Sequence, residues 1–60
     1  MTLQEMTNGM PANHGKMFSL LYKELVQTAM NHGESLKEAN RTAFNILVKE
    51  DKYCKIMNIA

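Results

Sequence analysis

The sequence predicts an all-α fold: an antiparallel helical hairpin with a short third helix at its C-terminal end and a flexible N-terminal arm, paired into a dimer. Three observations carry this. Apolar residues recur at helical spacing in two long stretches, residues 15–32 and 36–49. Between them, Gly33-Glu34-Ser35-Leu36-Lys37-Glu38 sets a helix stop beside a helix start. Nothing alternates with the period of two that a half-buried strand requires.

The turn is the framework. Ser35 followed three residues later by Glu38 is a capping box, in which the hydroxyl accepts the Glu38 backbone N–H and the carboxylate returns to the Ser35 N–H. Gly33 suits the left-handed position that closes a preceding helix. On the first helix a turn of about 100° per residue places Phe18, Leu21, Tyr22, Leu25, Val26 and Ala29 on one arc, the expected core face, with Met17 and Met30 at its edges. Lys16, Lys23, Glu24, Gln27 and Asn31 fill the other side, and Leu20 stands among them. On the second helix Leu36, Ala39, Ala43, Ile46 and Leu47 form the core stripe, which Phe44 and Val48 widen to one side. Small Ala39 and Ala43 let two helix axes approach closely.

An unbroken helix to Met57 would set Glu50 in the centre of that stripe. A break between Lys49 and Asp51 avoids this, with Asp51 as the N-cap of a third helix that folds Tyr53, Ile56 or Met57 across the open end. Residues 1–14, with Gly9 and Pro11 and no apolar period, read as a loosely held arm ahead of the hairpin domain, 15–60. Thr2 and Glu5 form a second capping box, so one turn ending at Gly9 is allowed if Met6 and Met10 dock it.

Length bounds the rest. A chain of 60 residues makes one domain and buries only about 60% of its unfolded surface, so it needs a further stabiliser. One cysteine, Cys54, excludes an internal disulfide framework, and no Cys/His cluster has zinc spacing, which leaves self-association or a partner. The start Met-Thr-Leu-Gln-Glu-Met lacks a basic and then an apolar region, so a cytoplasmic location is expected. The longest apolar run, Met17 to Tyr22, falls far short of the ~20 residues of a membrane helix. Seven basic residues against six acidic ones select no class of partner.

No enzymatic role, cofactor or metal is expected. His14 and His32 have no carboxylate or thiol at ligand or catalytic spacing, and His32 at a helix end suits the dipole and the last carbonyls. Cys54 as nucleophile would need a base and an orienting group. Glu38 is engaged in the cap, and Glu50 and Asp51 stand at the break, so no general acid–base pair emerges. Asn40-Arg41-Thr42 matches a glycosylation acceptor but lies mid-helix, and Gly9, Gly15 and Gly33 have no phosphate-loop spacing.

The expected function is a small interaction or regulatory protein that forms a homodimer and binds a protein partner, with Met17, Leu20, Met30, Phe44 and Val48 at the interface. Five internal methionines suit an adaptable surface. The alternative is a minimal DNA- or RNA-binding regulator using Lys37, Asn40, Arg41, Asn45, Lys49 and Lys52 on the back of the second helix. Ala29, Gly33 and Ala39 resemble the small residue, turn glycine and buried residue of a helix-turn-helix, whereas Thr28, His32, Glu34 and Thr42 stand where such motifs are apolar.

Overall fold

Residues 3–56 are described in the computed structural model, and they fall into four helices: α1 (Leu3–Asn8), α2 (Ala12–Asn31), α3 (Leu36–Glu50) and α4 (Lys52–Ile56). The turn between α2 and α3 is built as its residues dictate. The Gly33 N–H donates to the Met30 carbonyl at 3.0 Å and the Glu34 N–H to the Ala29 carbonyl at 3.1 Å, the pair of bonds that closes a Schellman motif. Gly33 takes the left-handed conformation this needs, at φ 99°. Ser35 then caps α3 by accepting the Glu38 N–H at 3.2 Å. The Glu38 carboxylate accepts from the Ser35 hydroxyl, at 3.0 Å, where the capping box had it on the backbone N–H.

α2 and α3 pack against each other over fully buried Ala39 and Ala43, where two methyl groups allow close approach. The cross-links run in opposite chain order: Tyr22 donates its hydroxyl to the Asn40 carbonyl at 3.2 Å, and His14 bonds Asp51. Thr42 donates to the Glu34 carboxylate at 2.7 Å and so ties the turn to α3.

Residues 3–14 are not a loose arm. They form α1 and the first turn of α2, which begins at Ala12 behind Pro11 rather than at Gly15. A six-residue helix has too few internal bonds to persist alone. Fully buried Met6 supplies what is missing, joining Met10, Phe18, Leu47, Val48 and Cys54 in the core. Gly15 allows the approach: a Cβ there would meet the Thr7 carbonyl oxygen at 3.4 Å. α4 closes the same cluster through Cys54.

Three residues expected in the core are exposed: Leu21, Ile46 and Leu36. α1 and α4 cover one face of the α2–α3 pair only, and Leu21 and Ile46 flank the seam on the other. Leu36 stands in the first turn of α3, at the end remote from α1 and α4. Met57 and the Thr2 cap lie outside the described residues.

Candidate interaction surface

Helix rotation decides which side chains share the uncovered face. At about 100° per residue, Met17, Leu21, Leu25 and Thr28 fall within an arc of about 80° on α2, and Thr42 and Ile46 within about 40° on α3. A shallow groove of about 200 Å³ lies there, lined by Leu25, Thr28, Ala29, His32, Glu34, Thr42 and Ile46. Ile46 in this lining is 42% exposed, and farther along the same arc of α2 Leu21 is 45% exposed and Met17 61%. No residue of α1 or α4 contributes to its lining.

The expected interface residues are not brought together. Met17, Leu20 and Met30 are exposed. Leu20 turns away from Leu21 and lines a separate open cleft of about 470 Å³ with Thr7, Ala12, Gly15, Lys16 and Ser19. Val48 is buried in the core, and Phe44 is half-buried against it. The reason is that α1 and α4 settle on the flank of α3 that carries Phe44 and Val48, which leaves the opposite flank, marked by Ile46, open. The local pattern of α3 favours the Ile46 flank for the core; the docking of Met6, Met10 and Cys54 selects the other.

Of the basic positions, Lys37, Arg41, Asn45 and Lys49 are exposed at four-residue intervals along α3. Asn40 is half-buried, its carbonyl held by Tyr22. Lys52 belongs to α4, with its ammonium 5.1 Å from the centre of the Tyr53 ring, so it does not extend the row on α3.

A second cluster has no signal in sequence spacing. His14 Nε2 meets Asp51 Oδ2 at 2.5 Å, and the His14 ring packs edge-on to Tyr53 with centres 4.6 Å apart. Asp51 Oδ1 accepts the N–H groups of Tyr53, at 2.9 Å, and Cys54, at 3.2 Å, so one carboxylate caps α4 and holds α2 as well. Burial alone would raise the Asp51 carboxyl; the hydrogen bonds from His14, Cys54 and Tyr53, with the charge of His14, outweigh it and hold the group below its ordinary value. Burial, reinforced by Asp51, pushes the Cys54 thiol up, the opposite of what a nucleophile requires. Among the described residues the His32 side chain has no hydrogen-bond partner; its backbone N–H closes α2 on the Thr28 and Ala29 carbonyls.

Among the described residues no three His, Cys, Asp or Glu side chains gather as a metal site, and no helix is long and apolar enough to cross a membrane. No family model, curated protein or solved structure matches the chain.

Proposed function

We propose that this chain is a small, non-enzymatic interaction protein that pairs with a second copy and docks a protein partner through the uncovered face of an antiparallel α2–α3 hairpin. One observation carries the reading: Ile46 stands exposed in the lining of a groove that no other helix roofs, and Leu21 and Met17 continue the exposed apolar line along the same face of α2. Apolar side chains gathered at a concavity mark interaction sites more than scattered ones do. A closed two-fold pair would cover the face with its own copy. Light scattering coupled to size exclusion tests it. The chain should run at twice its mass at micromolar concentration, Leu21→Asp should reduce it to monomer, and Leu36→Asp, exposed but off this face, should not. A folded monomer at every concentration overturns the pairing.

A second reading rests on α3. Lys37, Arg41 and Lys49 make no ion pair among the described residues and, with Asn45, form an exposed row suited to phosphates. Retention on a nucleic-acid matrix that falls steeply with salt, and is lost in Arg41→Glu, would favour it over protein binding.

A further inference from the structure

The break between α3 and α4 is a single residue. Asp51 sits at φ −80° and ψ 126°, so its φ already lies near the helical value and only ψ departs from the ~−42° of an α-helix. No glycine or proline occurs from Leu36 to Ile56. Straightening Asp51 would fuse α3 and α4 into one helix. In that helix Cys54 would fall within about 20° of both Ala43 and Leu47, in register with the buried stripe of α3, and Glu50, exposed in the last turn of α3 and within about 20° of Ala43, would be the one charged side chain on that line. What holds the break is the Asp51 carboxylate, with Oδ1 on the two N–H groups of α4 and Oδ2 on His14.

We propose that α4 is an exchangeable segment. When Asp51 straightens, Cys54 and Tyr53 leave their own core, and the position they vacate beside Met6 and Met10 is filled by α4 of a second copy. The occupant is identified by construction, because the vacated surface is complementary to α4 and to its apolar side chains Tyr53 and Cys54. Exchange of identical elements about a short hinge is a low-cost route to a closed dimer. Fusion gains the helical hydrogen bonds that the break forgoes; it loses the cap and the His14 contact. The Asp51 side chain therefore sets the balance. This mode lies on the opposite side of the α2–α3 pair from the groove and is independent of it.

The test separates the two modes. In a Leu21→Asp chain, which removes pairing through the groove face, adding Asp51→Ala should lower the dimer dissociation constant at least tenfold by light scattering, with helicity retained. Cys54 should stay protected from thiol reagents in that dimer, because α4 is seated in the other copy. Two glycines inserted between Glu50 and Asp51, which prevent fusion and relax closure, should return the double variant to monomer. A double variant that remains monomeric with a reactive Cys54 overturns the exchange, since α4 has then only frayed, and leaves the groove reading standing. A dimer that survives Leu21→Asp but dissolves on glycine insertion supports the exchange and removes the groove reading.

Discussion

Replacing Met6 with alanine measures whether the first ten residues are part of the fold. Met6 is fully buried against a cluster that includes Phe18, Leu47, Val48 and Cys54. Removing its γ-carbon, sulfur and terminal methyl forfeits about 1.5–3 kcal/mol of transfer free energy. The cavity left behind brings such changes to roughly 2–5 kcal/mol. The low half of that range applies, because α1 has fewer than two turns and is tethered on one side, so it can settle into the gap. A loss of about 2–3 kcal/mol is large beside the roughly 3–9 kcal/mol expected for sixty residues in all. Urea unfolding followed by circular dichroism should show the midpoint falling by about a fifth or more at unchanged slope. Leu20→Ala, at a site 61% exposed, is the control and should stay within about 0.5 kcal/mol. If the two variants behave alike, α1 is not docked and the core is not the one described.

Two further outcomes follow from the caps. Ser35→Ala removes the acceptor for the Glu38 N–H and should cost on the order of 1 kcal/mol in the same unfolding assay. Asp51 binds its proton less readily in the folded chain than in the unfolded one, so its stabilisation is complete above the ordinary carboxylate value of 3.8 and is lost as pH falls through the lowered one. Urea midpoints at pH 6 and in strong acid should therefore differ more for the wild-type chain than for Asp51→Asn; equal acid sensitivity would contradict the shift.

The helices and their punctuation were legible because they depend on neighbours in the chain. Gly33, Ser35 and Asp51 act over three or four residues, and each stands where a stop or cap was expected. The sidedness of the hairpin was not legible. Both flanks of α3 carry large apolar residues, and periodicity puts Ile46 in the core stripe and Phe44 with Val48 at its side, the reverse of their burial. The choice between them is made by Cys54, just past the break, together with Met6, which reaches α3 from far along the chain. The same distance hid the His14–Asp51 contact, since the partners are 37 residues apart. The sequence did allow α1 to dock through Met6 and Met10, but its polar composition and shortness argued for a free arm.

The cluster around Phe18 joins Leu47 and Val48 of α3 to members from opposite ends of the described chain, Met6 and Met10 from one and Cys54 from the other. During synthesis α2 and α3 can therefore share their alanine seam and bring together Phe18, Leu47 and Val48 before α4 arrives to complete the cluster with Cys54. Closing so wide a loop costs entropy that is repaid only when the final contacts form. An incomplete product that stops before Lys52 lacks Cys54 and leaves Met6, Met10 and Phe18 less covered, a surface that quality-control proteases and chaperones recognise.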